Sequence, residues 1–194
     1  MFVLTLDQIG SRTGEDRVPE LLERASRVDM VRPFERTVGD EVQGVTDSPE
    51  TVRVLVLEAL RSGRWHIGVG SGDAKLGETA REGSGAAYVH AREAVDRAKA
   101  VTRFSPSVAI VGTNTGASDE AQALLRLLGT MIRDRTDAQW EAIDAYRAGE
   151  TVSEIAARLD ISAEAVSQRR GHGGQVIEEA CWPLLDRLLA ATEG

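Results

Sequence analysis

Hydrophobic and polar positions alternate at the start of the chain and then change to a helical period. Residues 2–6 all suit a pleated, buried surface, and they predict a strand that ends at Asp7. After Pro19, apolar residues recur every three to four positions as far as Val28. The first two predicted elements are therefore a strand and an amphipathic helix.

A hairpin and a second helix follow. Residues 34–45 are split by the dipeptide Gly39-Asp40, which suits a tight turn between two strands. Ser48 is placed to cap a helix that begins with a proline, and Gly63 marks the end of its apolar stripe. Residues 65–69 then predict a strand that runs into a glycine-rich loop.

The remaining pattern of the first half predicts a helix over residues 86–100 and a short strand over 108–111. Strand and helix alternate, with one hairpin in the middle, and this order is typical of an α/β (α+β) sheet layered with helices. A split β-α-β core with the antiparallel hairpin inside it is the simplest arrangement.

From residue 118 onward every predicted element is helical. The leucines of the first of these helices cover more than one face, so we expect it to be buried between domains or at a dimer contact. The predicted organisation is an α/β domain over residues 1–116, a connecting helix over 117–135 and a helical domain over 136–194.

Composition narrows the function classes. The chain of 194 residues carries 31 acidic and 23 basic residues, and six of its net eight negative charges fall in residues 134–194. A surface devoted wholly to nucleic acid or to anionic membrane is therefore excluded. A single cysteine, no secretory leader pattern and no long apolar run predict a cytoplasmic protein without membrane association.

Two carboxylates occupy positions that suggest chemistry. Asp7 at the strand end and Asp40 in the hairpin turn converge if the first strand lies beside the hairpin. Two such charges need a cation between them or a shared proton. Hard oxygen ligands favour Mg²⁺ or Mn²⁺, usually with phosphate oxygens, which Ser11 and Arg12 are placed to meet. The alternative is that Asp40 only supports the turn. Spacing alone leaves both interpretations open.

Four blocks together resemble a known family. They are the strand ending in Asp7 with Ser11-Arg12 after it, residues 38–44 (Val-Gly-Asp-Glu-Val-Gln-Gly), residues 68–70 (Gly-Val-Gly) and residues 87–92 (Ala-Tyr-Val-His-Ala-Arg). In this order, over about residues 1–112, they resemble the SatD family and, more distantly, the palm-type core of class III nucleotide cyclases and diguanylate cyclases.

The resemblance implies a ferredoxin-like, palm-type sheet that binds divalent ions and a purine nucleotide. Asp7 and Asp40 would be metal ligands, and Arg92 would contact phosphate. Tyr88 stands where cyclases commonly place an asparagine, so the resemblance implies nucleotide binding more than turnover. Arg92 alternatively pairs with Asp96 as a solvated helix residue.

The last third of the chain contains a helix-turn-helix pattern. Residues 154–162 (Glu-Ile-Ala-Ala-Arg-Leu-Asp-Ile-Ser) closely resemble the helix-turn-helix of bacterial regulators and of promoter-reading sigma factors. In that geometry the following helix enters the major groove of double-stranded DNA. Its exposed face would be Ser167, Gln168, Arg169 and Arg170. The alternative is a helical docking or dimerisation domain without DNA contact.

A single acidic copy of such a module should bind weakly, so we expect a homodimer. The apolar positions of the final helix offer a seam for it, namely Val176, Ile177, Ala180, Leu184, Leu185, Leu188 and Leu189.

Three functions follow from these observations. The first is a bacterial regulator whose metal- and nucleotide-binding, cyclase-like domain controls a DNA-binding helix-turn-helix. The second is a two-metal nucleotide cyclase or hydrolase, and the third is a non-catalytic interaction protein.

Overall fold

A computed structural model describes residues 1–11, 13–102 and 104–194, within which a five-stranded mixed sheet is combined with eight α-helices. The strands are β1 (Phe2–Gln8), β2 (Arg32–Arg36), β3 (Glu41–Thr46), β4 (Trp65–Ser71) and β5 (Val108–Val111). The helices are α1 (Val18–Ala25), α2 (Pro49–Ser62), α3 (Ala86–Lys99), α4 (Thr115–Arg133), α5 (Asp137–Arg147), α6 (Val152–Leu159), α7 (Ala163–His172) and α8 (Gln175–Ala191).

The strands are ordered β2-β3-β1-β4-β5 across the sheet. β1 is central and runs antiparallel to both β3 and β4, whereas β4 and β5 are parallel. The hairpin of β2 and β3 therefore inserts β3 between β1 and β2, which is the split β-α-β connection that the sequence predicts. Among the described residues, no helix has both the length and the hydropathy that a membrane crossing requires.

The two faces of β1 are buried against different layers. Phe2, Leu4 and Leu6 belong to the main core, which also contains side chains of α1, α2, α4 and α8. Val3 points to the opposite face and packs with Ala87 and Ala91 of α3. Because side chains alternate along a strand, Asp7 lies on the face of α3.

Two glycines of β4 allow α3 to lie directly on the sheet. A Cβ atom at Gly70 would stand 2.7 Å from the Cα atom of Ala91, and one at Gly68 would stand 2.7 Å from the Cα atom of Val95. The Gly-Val-Gly block is thus a close contact between backbones. β4 also extends through Ser71, beyond the predicted end of the strand.

Helix termini follow the predicted capping chemistry, with one difference. Ser48 accepts a hydrogen bond from the backbone of Thr51, and Gly63 adopts the left-handed conformation after α2. α4 begins at Thr115, earlier than predicted, because the side chain of Asn114 caps it through the backbone N–H of Ala117.

A buried ion network ties the C-terminal helices together. Glu178 of α8 accepts a hydrogen bond from Arg135 at 2.6 Å and forms an ion pair with Arg147 of α5 at 2.9 Å. The side chains of Arg135 and Glu178 are 1% and 2% exposed. Arg135 also donates to the carbonyl oxygen of Gly173 at 2.6 Å. Its guanidinium thereby fixes the end of α7 relative to the start of α8.

α2 connects the sheet to the C-terminal helices α5 and α8. Arg61 of α2 binds both carboxylate oxygens of Asp144 on α5, at 2.8 and 2.7 Å, and its guanidinium stacks on Trp140. Arg53, about two turns earlier on the same helix, donates a hydrogen bond to Asp186 of α8 at 2.8 Å. A displacement of α2 would therefore move α5 and α8 with it.

Candidate functional site

Acidic and imidazole side chains form a row across the three central strands. Asp7 of β1 lies opposite Glu41 of β3 on one side and opposite His66 of β4 on the other. The backbone N–H of Gln8 bonds to the carbonyl oxygen of Asp40, so Asp7 and Glu41 form a non-hydrogen-bonded pair, with Cα atoms about 4.5 Å apart. Their carboxylates therefore share the sheet face that α3 covers.

Two cations from α3 neutralise this row. The ammonium of Lys99 lies 3.0 Å from Asp7 Oδ1, and the guanidinium of Arg92 lies 3.5 Å from Glu41 Oε2. Thr37 donates its hydroxyl to Glu41 Oε1 at 2.7 Å. Asp7 and Glu41 are 20% and 13% exposed, so both carboxylates are partly desolvated and each has a positive partner.

His66, the imidazole of this row, is linked through Ser107 to the C-terminal end of α3. The Ser107 hydroxyl lies 2.7 Å from His66 Nδ1 and 2.7 Å from the carbonyl oxygen of Ala98. Because a carbonyl only accepts, the hydroxyl hydrogen goes to Ala98 and Nδ1 carries the hydrogen that it donates to Ser107. The Nε2 atom of His66 therefore carries the lone pair.

Burial lowers the pKa of His66 below its usual 6.5, with a further lowering by Lys99 and an opposing effect of Asp7. His66 should therefore be neutral at pH 7. The folded state disfavours its protonation, so stability should decrease as the pH falls below 6.5 toward the lowered pKa. A ¹H–¹⁵N NMR titration of the imidazole checks this: a midpoint at or above 6.5 would contradict the desolvated environment.

Asp40 and Ser11, a predicted metal ligand and a predicted phosphate contact, lie at the same end of the sheet. Asp40 is in the β2–β3 turn, one position before Glu41, and its backbone oxygen accepts a hydrogen bond from the backbone N–H of Gln8. Ser11 follows the end of β1, whereas Arg12 lies outside the described residues. Glu41 is thus the direct cross-strand neighbour of Asp7, and Asp40 is diagonal to it.

The donor set suits a hard cation with few protein ligands. Within the described ranges, no three or more His, Cys, Asp or Glu side chains form a group that could hold a metal ion. Mg²⁺ often takes only one or two carboxylates and completes its shell with water and phosphate oxygens. Asp7 and Glu41 fit that mode, provided that Lys99 leaves Asp7.

The C-terminal helices form a second candidate site. α5, α6 and α7 enclose a small core of Ala142, Ala145, Ile155, Ala156 and Val166. Between α6 and α7, Asp160 adopts the left-handed conformation with φ 52°, which an Asp tolerates better than most residues. Ser162 then caps α7.

Two of the predicted DNA-contacting side chains are exposed on α7. Ser167 donates to the carbonyl oxygen of Ala163 at 3.0 Å, and the Gln168 amide reaches Glu164 at 3.3 Å. Glu164 is exposed beside them, so this face is polar but not basic.

The two arginines of α7 point toward neighbouring helices. Arg169 lies 3.7 Å from Glu141 of α5. Arg170 stacks on Tyr146, with its guanidinium carbon 3.2 Å from the ring centroid, and donates to Gln175 at 2.7 Å. Arg170 would contact a phosphate only after leaving this packing, which makes Ser167 and Gln168 the more accessible pair.

The predicted dimer seam of α8 is divided in the structure. Leu185 and Leu189 are fully buried in the core of their own chain, and Leu188 packs against that core. Val176, Ile177 and Leu184 remain exposed, at 65%, 64% and 43%. The apolar stripe that could meet another copy is therefore narrower than the sequence pattern predicts.

A cleft of about 800 Å³ lies beside the junction of α1, α2, α5 and α8. Its walls carry equal numbers of arginines and acidic side chains, and Trp140 and Trp182 line it. Arg53 and Arg147 both stack on Trp182, at 4.5 and 5.3 Å from the ring centroid. Most of these charges are paired within the protein, so the cleft has little net charge to attract a charged ligand.

The sequence alone did not identify Glu41, Lys99 and His66 as residues of this site. Glu41 is adjacent to Asp40 in the chain, and only the register of β3 against β1 determines which of the two faces the same side as Asp7. Lys99 at the end of a predicted helix indicates a favourable helix terminus and nothing more.

Comparisons with protein families, with curated proteins and with solved structures match nothing to this chain. The resemblance to the SatD family and to cyclases therefore stays a prediction from the residues.

Proposed function

We propose that this protein is a bacterial transcription regulator. Its cyclase-like α/β domain would bind a divalent ion, Mg²⁺ or Mn²⁺, together with a purine nucleotide, and would control the binding of double-stranded DNA by the C-terminal helix-turn-helix. The observation that carries this proposal is the three-helix unit of α5, α6 and α7, which presents Ser167 and Gln168 to solvent.

The order of the first four strands supports a palm-type core. In the sequence β2-β3-β1-β4 each neighbouring pair is antiparallel, as in ferredoxin-like β-α-β-β-α-β folds. A strand-end Asp7 beside the hairpin turn with Asp40 is the arrangement that the cyclase resemblance implies.

The row of Asp7, Glu41 and His66 supports a metal and nucleotide site. When bound, a divalent ion would neutralise the carboxylates and the phosphate oxygens at once. Asp7 and Glu41, or Asp40 beside it, would hold the ion. Arg92 is 69% exposed on α3, so its guanidinium can exchange Glu41 for a phosphate oxygen at small cost.

The contacts of α2 link the sheet, on the face opposite the carboxylate row, to the C-terminal helices. The ion pair of Arg61 with Asp144 and that of Arg53 with Asp186 link the sheet layer to α5 and α8. A ligand that favours one position of α2 would bias the orientation of α7 in a dimer. The exposed stripe of α8, with Val176, Ile177 and Leu184, is the proposed contact between two copies.

Charge substitutions on α7 test DNA binding directly. Gln168→Lys should strengthen binding of a fluorescein-labelled duplex, and Gln168→Glu should weaken it, because the side chain would face the phosphates. In anisotropy titrations over a salt series, the slope of log K against log salt should change by about one in opposite directions.

The same charges placed on α4 provide the control. Ala123 is exposed there and is not part of the proposed recognition helix, so Ala123→Lys and Ala123→Glu should leave the slope unchanged. Equal effects at residues 123 and 168 would mean that binding follows net charge, and would overturn the recognition helix. Regulation requires in addition that GTP or ATP with Mg²⁺ changes the affinity of the wild type for DNA.

A further inference from the structure

The ammonium of Lys99 lies where a cation bound to Asp7 would be. It is 3.0 Å from Asp7 Oδ1, and the two side chains are 36% and 20% exposed. The pair is therefore partly desolvated and stronger than a fully exposed ion pair. Lys99 also ends α3, the helix that covers this face of the sheet.

A divalent ion and an ammonium on the two oxygens of one carboxylate repel each other, and strongly so in a partly desolvated site. Lys99 therefore weakens binding of the ion to Asp7 for as long as it stays there. Departure is feasible, since the carbonyl groups at the C-terminus of a helix attract a cation and the Lys99 side chain already reaches solvent.

We infer that Lys99 is a tethered counter-cation that competes with the divalent ion for Asp7 and makes the site selective for a metal–polyphosphate complex over the free metal. The inference rests on the proposed metal and nucleotide site.

The selectivity follows from the positions of the basic residues on α3. Arg92 and Lys99 are two turns apart on one face of the helix, and both contact the carboxylate row. A free divalent ion that displaces Lys99 brings no anion for the ammonium, which must move to the carbonyl groups at the end of α3 or to solvent. A metal–polyphosphate complex brings phosphate oxygens that can accept both released cations.

The test measures binding of Mn²⁺ alone to the full chain, by the loss of the electron paramagnetic resonance signal of free Mn²⁺. Lys99→Met keeps the length of the side chain and removes its charge, so it should bind Mn²⁺ at least about tenfold more tightly than the wild type. Lys99→Arg keeps the charge and should bind no more tightly than the wild type. Asp7→Asn should abolish binding in either background.

Arg97→Met is the matched control, because it removes the same charge from the same helix and Arg97 pairs on the surface with Glu93 rather than with the carboxylate row. If Lys99→Met and Arg97→Met have equal affinities for Mn²⁺ and the wild type binds too, the metal site stands and the competition is wrong. If none of these variants binds Mn²⁺, the metal site itself fails and the inference fails with it. Thermal unfolding of Lys99→Met and of a second variant, Lys99→Gln, confirms that the compared chains are folded.

Discussion

Glu178→Gln should lower the free energy of unfolding by about 3–5 kcal/mol, because it leaves the guanidinium of Arg135 buried without its negative partner. The substitution keeps the size of the side chain, so the effect reports on charge. Arg147 loses the same partner, at 2.9 Å, but keeps Glu179. Urea denaturation followed by circular dichroism gives the value.

Glu179→Gln is the matched control. Glu179 is the next residue on α8, is 32% exposed and pairs with Arg147 at 3.2 Å. A partly exposed pair is worth about 1 kcal/mol or less, so this variant should remain close to the wild type. A loss for Glu178→Gln no larger than that for Glu179→Gln would contradict the buried network.

Gly70→Ala should have the second largest effect, a loss of about 3 kcal/mol. The new methyl group would stand against the backbone of Ala91 and of Ala87, so no side chain could rotate away and α3 would have to move. Such a shift would also disturb the contacts of Lys99 and Arg92 with the carboxylate row. The measurement is again urea denaturation.

Gly171→Ala controls for the substitution itself. Gly171 lies in α7, and a Cβ atom there would meet nothing within 4 Å. Alanine in a helix is favoured over glycine by about 1 kcal/mol, so this variant should be slightly more stable than the wild type. A Gly70→Ala protein as stable as the wild type would mean that α3 does not lie directly on β4.

Local chemistry made several elements predictable. Ser48 with the proline after it specifies the start of α2, and Gly63 specifies its end. The Gly39-Asp40 turn identifies the hairpin, and the apolar periodicity around Ile155 and Ala156 identifies the short helix α6. Each of these features depends on neighbours within one or two turns of chain.

Other features depend on contacts between distant segments. The extension of β4 through Ser71 follows from its pairing with β1. Arg169 and Arg170 look like a basic face in sequence, yet Glu141, Tyr146 and Gln175 hold them in the structure.

The sequence by itself determined the alternation of strands and helices, the acidic strand end at Asp7 and the short C-terminal helices α6 and α7, because capping, turn chemistry and periodicity are local. Only the tertiary structure decided that Glu41 rather than Asp40 lies directly opposite Asp7 and that Lys99 occupies that carboxylate. The physical reason is register: a shift of one residue between β1 and β3 moves every side chain to the other face, and no local pattern specifies that shift.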